Sequence, residues 1–350
     1  MYLLPTDQGI FRYDKITRSL KNIAQGLYLS DSRRVTVSSC PRIYSGLWHA
    51  GYFIIEPDGT AEGARYSEMS GAAMGEDRGC DTPVIYSGAF GSLYLANGIS
   101  LDFEDFDALD QLSWFETNVR NRFSFTVPDK LFDYDTGWWY GYGIDRDSAT
   151  NVLYKFNIEQ RKVQILKQHP NSIDAFFIEK KGTKRTFWLL DEDAKLWKST
   201  DSKKWSLYKN LRTVTIRRHT DESTATQPFV HGSELFVGSN LMIAGGNGGL
   251  FVSQDKGESW DEFFHLAGSS NVVVDKKGRL FVGLQPFLSS AEWLTENVTG
   301  VWFSDDSGQS WQRFGEGAEK SLVSGLALNN EGDVLYAATR GESLLKIRLS

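Results

Sequence analysis

Residues 249–264 read GLFVSQDKGESWDEFF, which is an apolar stretch, a polar turn and a second apolar stretch. Residues 300–314 read GVWFSDDSGQSWQRF and repeat the same order of residue types. Both segments contain the pattern S-x-D-x-G-x-S-W, and their tryptophans, Trp260 and Trp311, are 51 positions apart. A spacing of this size is typical of repeat architectures, in which each repeat is one supersecondary unit.

The residue types of this pattern suit a tight hairpin. An aspartate such as Asp255 accepts hydrogen bonds from backbone N–H groups a few residues further on. Gly257 suits a positive φ, at which a Cβ would be strained, and Trp260 can pack a large apolar surface beneath the turn. The pattern therefore predicts structural turns, made by Ser253, Asp255, Gly257 and Trp260, by Ser304, Asp306, Gly308 and Trp311, and, in a shorter copy over 199–205, by Asp201 and Trp205.

The pattern resembles the Asp box, or BNR repeat, of the β-propellers of sialidases, xyloglucan hydrolases, sortilin-type receptors and photosystem assembly factors. The resemblance implies an all-β fold in which the motif lies between the third and fourth strands of a blade. It also implies a folding role for the motif rather than a catalytic one. The resemblance points to a fold first, because one fold supports many functions.

Short apolar stretches similar to GLFV recur along the chain and divide it into about eight units. We expect a single β-propeller over residues 1–350, with four-stranded antiparallel blades and a ring closed by the N- and C-terminal strands. Seven blades are favoured, with residues 2–5 completing the last one, and eight are the alternative. Loop insertions are expected near 102–129, 213–232 and 285–299, with a helix in the acidic stretch 102–114. Such loops are where binding specificity usually resides.

Composition limits the classes of partner and compartment. The formal net charge of −7 argues against a general binder of nucleic acid or anionic membrane, although a local basic patch remains compatible with it. The sequence shows no secretory signal and no apolar run long enough to span a membrane. This favours the cytoplasm or a particle such as a virion, unless a signal was removed. Cys40 and Cys80 are the two cysteines, and they either form one disulfide or are two small buried residues.

A sialidase is the main enzymatic alternative. The resemblance implies three arginines that hold the substrate carboxylate, the first of them in an Arg-Ile motif, and Arg42 in PRIY, residues 41–44, is the matching position. Arg42 is equally compatible with an ordinary strand residue. The acidic clusters near 76–81 and 102–107 read as solvated loops, and the five histidines show no metal-binding spacing. We therefore expect no metal and no cofactor.

The segment TGWWYGY, residues 136–142, is the best candidate for binding without catalysis. Trp138, Trp139 and Tyr140 could stack on sugar rings or anchor a protein interface. The alternative is a core strand that buries Trp138, Tyr140 and Tyr142 on one face. We expect a non-catalytic scaffold that engages protein subunits of an assembly, such as a phage tail or adhesin, or a surface glycan. A sialidase-like or other glycan-acting glycoside hydrolase is the alternative function.

Overall fold

The structure is a computed structural model that describes the greater part of the chain. The described residues are 2–6, 9–14, 19–22, 32–47, 51–64, 69–74, 79–81, 84–88, 93–96, 114–126, 132–133, 135–214, 216–218, 232–246, 249–264, 267–286, 299–314, 318–319, 321–340 and 344–349. Within them the secondary structure is almost entirely β, in small sheets of three to five strands. The fold is all-β, as the sequence predicts.

Six of these sheets form a propeller-like arrangement of blades, numbered here in chain order. Blade 1 contains β4 (Ser32–Val37), β5 (Ile43–Leu47), β6 (Gly51–Ile55) and β7 (Ala61–Ala64). Blade 2 contains β11 (Phe123–Thr126), β12 (Phe132–Asp133), β13 (Trp138–Asp145), β14 (Thr150–Asn157) and β15 (Lys162–His169). Blade 3 contains β16 (Ile173–Lys181), β17 (Lys184–Asp191), β18 (Lys195–Ser199) and β19 (Ser206–Asn210).

The remaining three blades come from the C-terminal half of the chain. Blade 4 contains β20 (Ile216–Arg218), β21 (Gly232–Val237), β22 (Met242–Gly246), β23 (Gly249–Ser253) and β24 (Trp260–Phe263). Blade 5 contains β25 (Ala267–Ser269), β26 (Val273–Val274), β27 (Leu280–Pro286), β28 (Gly300–Ser304) and β29 (Gln312–Phe314). Blade 6 contains β30 (Val323–Leu328), β31 (Val334–Thr339) and β32 (Leu344–Arg348).

Buried apolar side chains join successive blades into one series. Blades 2 and 3 share a cluster around Tyr142 and Phe176, and blades 3 and 4 share one around Trp188 and Phe251. Similar clusters join blade 4 to 5 and blade 5 to 6. Tyr336 of blade 6 packs with residues of blade 1, so the last blade in sequence lies against the first. Flat faces rich in aromatic and β-branched residues suit such face-to-face packing.

The structure corrects three details of the sequence-based fold. The predicted seven blades are wrong, because six blades are shown in this arrangement, and they have three to five strands rather than four throughout. Ring closure by the N-terminal strand is also wrong: β1 (Tyr2–Thr6) pairs with β2 (Gly9–Asp14) in a separate sheet, and the described strands of blade 6 number three. Finally, β20 pairs with β24 in parallel, whereas we expected antiparallel pairing throughout.

Two further sheets of three strands complete the described elements. One contains β1, β2 and β3 (Ser19–Asn22), and the other contains β8 (Met69–Met74), β9 (Val84–Gly88) and β10 (Leu93–Ala96). Strand β8 contacts β4 and β5 of blade 1. A 3-10 turn, Gly79–Asp81, lies between β8 and β9 and is tied to blade 1 by the disulfide Cys40–Cys80, whose Cα atoms are 5.2 Å apart. The sequence left this bridge open, and the structure has it.

A helical turn covers the face of blade 2 that points away from blade 3. It includes Glu116–Arg120, and it buries Phe115 and Val119 against Trp139 and Tyr154. The helix expected over 102–114 lies outside the described residues, except for position 114. The three predicted insertions also lie largely outside them and stay predictions. Among the described helical residues, none forms a helix long and apolar enough to cross a membrane.

Candidate functional site

The two S-x-D-x-G-x-S-W segments form turns in which the serines, the aspartate and the glycine make the same hydrogen bonds. Asp255 accepts from the backbone N–H of Ser259 at 2.9 Å and from its hydroxyl at 2.6 Å. The Ser253 hydroxyl donates to Asp255 at 2.8 Å and accepts from the Gly257 N–H at 2.7 Å. Gly257 has φ 87°, and the buried Trp260 donates its indole N–H to the Gly257 carbonyl at 3.2 Å. The carboxylate is therefore fully engaged in closing the turn.

The second turn repeats the serine, aspartate and glycine part of this network one blade further on, but the buried indole nitrogen of Trp311 has no hydrogen-bond partner among the described residues. Asp306 accepts from the Ser310 N–H at 2.9 Å, and the Gly308 N–H donates to the Ser304 hydroxyl at 2.7 Å. Burial by itself raises the pKa of Asp306, but the hydrogen bonds from Ser310, Ser304 and Gln309 outweigh it and lower the pKa to about 2. Trp311 lies beside Phe264 of blade 4. In the antiparallel pairing orders β21–β22–β23–β24 and β25–β27–β28–β29, both turns lie between the third and fourth strands, where the resemblance places them.

The shorter copy in blade 3 keeps the aspartate but uses it differently. Asp201 accepts from the backbone N–H groups of Lys203 and Lys204 at 2.9 and 2.8 Å. Ser202, with φ 60°, takes the left-handed position in this turn. Trp205 is half-buried and donates its indole N–H to the Ser202 carbonyl at 3.1 Å. This turn leaves its tryptophan more exposed than Trp260.

The aromatic segment of β13 is mostly core. Trp139 is 3% exposed and packs inside blade 2, whereas Tyr140 and Tyr142, each 4% exposed, face blade 3. Trp138 lies on the Tyr140 face but at its edge, where it is half-buried. The structure thus places two of the three predicted binding aromatics in the interior. It leaves Trp138 as the one with an accessible indole.

Trp138 belongs to a larger group of partly exposed side chains at the contact between blades 2 and 3. The ammonium of Lys155 lies 4.3 Å from the centroid of the Trp138 indole. The ammonium of Lys167 lies 4.6 Å from Trp197 and 5.9 Å from Trp205. Leu207 pairs with Trp197 across β18 and β19 and is 49% exposed. We call these six residues the tryptophan–lysine strip: Trp138, Lys155, Lys167, Trp197, Trp205 and Leu207.

A buried carboxylate holds the edge of the same blade contact. Asp133 in β12 forms ion pairs with Lys180 at 2.7 Å and with Arg185 at 2.9 Å, both from blade 3. Burial by itself raises the pKa of Asp133, but hydrogen bonds from Arg185, Lys180 and Thr136 lower it to about 2. A second buried pair joins His169 and Asp191 at 2.9 Å, and Asp191 also accepts from the Trp197 indole at 2.9 Å. These pairs hold blades 2 and 3 together and orient the indole of Trp197 within the strip.

Arg42 lies away from the strip and has structural partners. Its guanidinium donates to Glu56 through Nε at 3.0 Å and Nη2 at 2.9 Å, and Nη1 donates to the Cys80 carbonyl. Arg42 therefore joins blade 1 to the 3-10 turn beside the disulfide. A substrate carboxylate would have to compete with Glu56 for it. Among the described residues, no group of three or more His, Cys, Asp or Glu side chains is placed to hold a metal ion.

Four members of the strip are not among the residues that the sequence predicts: Lys155, Lys167, Trp197 and Leu207. Their sequence signal is a reversal of charge. Residues 151–212 contain fourteen lysines and arginines against seven aspartates and glutamates, in a chain that carries a net charge of −7. The remainder of the chain therefore carries a net charge of −14. Scanning charge along the sequence would have found this basic sector, but not its pairing with indole rings.

Comparisons with known proteins identify a fold and no family. No protein-family model matches the chain, and no curated protein matches it. A chain in the solved structure described as "Crystal Structure of Mitotic Checkpoint Complex" is similar with a TM-score of 0.55 and 11% identity, over 91% of this chain and 86% of that one. The extracellular domain of a protein described as a hybrid two component system, from B. thetaiotaomicron, gives a TM-score of 0.54 and 12% identity. This chain is 92% covered in that match but spans only 38% of that protein's chain.

Proposed function

We propose that this protein is a non-catalytic propeller scaffold whose outer surface binds a protein partner within a larger assembly. The observation that carries the proposal is the tryptophan–lysine strip, where three half-buried indoles and two lysines lie together on packed strands. Aromatic residues are enriched at the centres of protein interfaces, because they bury large areas at low entropic cost. The blade clusters and the buried ion pairs beneath the strip hold these side chains in place before binding, which reduces the ordering cost of association.

The similarity to a chain described as part of a mitotic checkpoint complex gives a fold precedent for a propeller within a multiprotein assembly. A phage tail or an adhesin remains our example of such an assembly for this chain. A sialidase-type hydrolase has less support, since Arg42, its first candidate clamp, is bonded to Glu56 and the Cys80 carbonyl.

Quantitative affinity purification tests the proposal. The full chain, tagged and expressed in its native source, is purified in parallel with a glutamate variant of Leu207 and a glutamate variant of Ile144, an exposed residue elsewhere on blade 2. We expect one protein to co-purify at near-equal molar ratio with the wild type and the Ile144→Glu control, and to be depleted by Leu207→Glu. Absence of any stoichiometric partner from the wild type would contradict a scaffold role.

A further inference from the structure

Within the part of the chain that the structure describes, the two lysines of the strip have no carboxylate partner, whereas neighbouring lysines do. On the opposite face of blade 3, Lys256 pairs with Glu179 at 3.1 Å. On the side that faces blade 2, Lys180 pairs with Asp133. Among the described residues, no carboxylate lies within ion-pairing distance of Lys155 or Lys167. The nearest buried acids, Asp133 and Asp191, are already bonded to other groups.

The strip therefore carries uncompensated positive charge in a partly dehydrated place. Burial lowers the pKa of Lys155, and the neighbouring Lys203 lowers it further, against an opposing effect of Asp133. Burial likewise lowers the pKa of Lys167, against Asp191. Indole faces stabilise an ammonium by about 0.5–2 kcal/mol, which offsets part of this cost but supplies no negative charge. A carboxylate from outside would meet two cations with fewer water molecules to displace.

The apolar side chains next to these cations restrict the class of ligand. Leu207 is 49% exposed, and it pairs across strands with Trp197. The ammonium groups of the strip therefore lie beside exposed apolar surface and not only beside further lysines. An extended nucleic acid would also meet the acidic remainder of the chain, which carries a net charge of −14 outside residues 151–212. A short segment with both carboxylates and apolar side chains fits both features.

We propose that the tryptophan–lysine strip binds an acidic segment of a partner protein, with its carboxylates at Lys155 and Lys167 and its apolar side chains against Leu207 and the indoles. The inference rests on the proposed function and specifies the partner's chemistry and its place on blades 2 and 3. The basic sector, 151–212, also attracts such a segment at long range, so association is faster at low ionic strength.

A model peptide tests the chemistry directly. A fluorescein-labelled peptide of about twelve residues that alternates glutamate with leucine is titrated with the full chain, and its anisotropy is recorded at about 50 and about 300 mM salt. We expect saturable, salt-sensitive binding that weakens about tenfold or more in the double variant Lys155→Gln with Lys167→Gln, a loss of about 1.4 kcal/mol. The matched control is Lys198→Gln, whose ammonium lies 5.1 Å from the Trp188 ring on the other face of blade 3.

Leu207→Glu is a second variant that keeps the test valid if the double variant fails to fold. Its side chain is exposed, and a negative charge there should also weaken the peptide about tenfold, whereas Ile144→Glu should change it less than twofold. Equal affinity in the wild type and the strip variants would overturn the inference. Competition by a twelve-nucleotide oligothymidylate as strong as that of unlabelled peptide would overturn it as well, in favour of a nucleic-acid surface.

The native partner separates this inference from the proposed function. If a stoichiometric partner co-purifies equally with the wild type and with the double lysine variant, the strip is not its acidic-segment site, although the scaffold role stands. If the wild type recovers no partner at all, the scaffold role fails. Depletion of the partner by the double variant, with retention by Lys198→Gln, supports both.

Discussion

At the residue scale, the most sharply patterned side chains of the sequence act in folding. The carboxylates of Asp255 and Asp306 accept the hydrogen bonds that close two hairpins, and both oxygens of each carboxylate are used in the turn. Each hydrogen bond to a charged acceptor contributes about 1.5–3 kcal/mol to the free energy of unfolding. The turns therefore support blades 4 and 5, while the binding chemistry lies in residues without any repeated pattern.

Substitution of these aspartates tests the folding role. We expect Asp255→Ala and Asp306→Ala each to lower the free energy of unfolding by about 1–3 kcal/mol, because backbone N–H groups in the turn lose their acceptor. Peptide affinity of the folded protein should not change. Asp305 precedes Asp306 and is exposed, so Asp305→Ala is the matched control and should stay within about 0.5 kcal/mol. Urea unfolding measures all three. Weakened binding at unchanged stability would refute the assignment.

At the element scale, the disulfide Cys40–Cys80 joins blade 1 to the 3-10 turn before β9, and Arg42 reinforces the same contact through the Cys80 carbonyl. The bridge spans a sequence separation of 40 residues and so restricts the unfolded chain considerably. Its presence gives the β8–β10 sheet a covalent attachment to blade 1, in addition to the contacts of β8 with β4 and β5.

Removal of the bridge should therefore be costly. We expect the double variant Cys40→Ala with Cys80→Ala to lose up to about 4 kcal/mol of unfolding free energy on the chain-entropy account. A reducing agent should lower the thermal midpoint of the wild type and leave that of the double variant unchanged, which calorimetry can measure. Equal midpoints for the wild type with and without reductant would show that the bridge contributes nothing.

The sequence predicts local features of these elements but not the long-range ones. The turns of Asp255 and Asp306 could be predicted because a hairpin is decided by a few consecutive residues. Ring closure could not, because it depends on which distant strand lies beside β1, and the structure places β1 in a separate sheet with β2 and β3. The placement of Lys155 over Trp138 depends on the register of β13 with β14, and that of Lys167 over Trp197 depends on how two blades pack. Neither can be read from one strand alone.

At the scale of the whole molecule, buried or turn-bound carboxylates couple stability to pH. The pKa of Asp133 is lowered to about 2 by Arg185, Lys180 and Thr136 despite its burial, and the pKa of Asp306 also falls to about 2. An unfolded aspartate titrates near 3.9, so the native state binds these protons less readily than the unfolded chain. Their stabilisation is complete above about pH 5 and is lost as the pH falls towards 2.

Replacing Asp133 tests this linkage. We expect Asp133→Asn to lower the unfolding free energy at neutral pH, because Lys180 and Arg185 lose their shared counter-charge. Between about pH 5 and 2, the wild type should lose about 1–2 kcal/mol more than the variant, a value below full linkage because Lys180 is partly exposed. Urea midpoints across this range give the comparison. Parallel pH profiles for the two proteins would contradict the assigned pKa of Asp133.

Site-specific photo-cross-linking measures whether a protein partner lies on the tryptophan–lysine strip. A benzophenone side chain is placed at position 207, or at the similarly exposed position 144 as a control, in the full chain expressed in its native source. We expect a cross-link from position 207 to a carboxylate-rich segment of the co-purifying partner, and little or none from position 144. A partner that co-purifies but cross-links only from position 144, or from neither position, would contradict it.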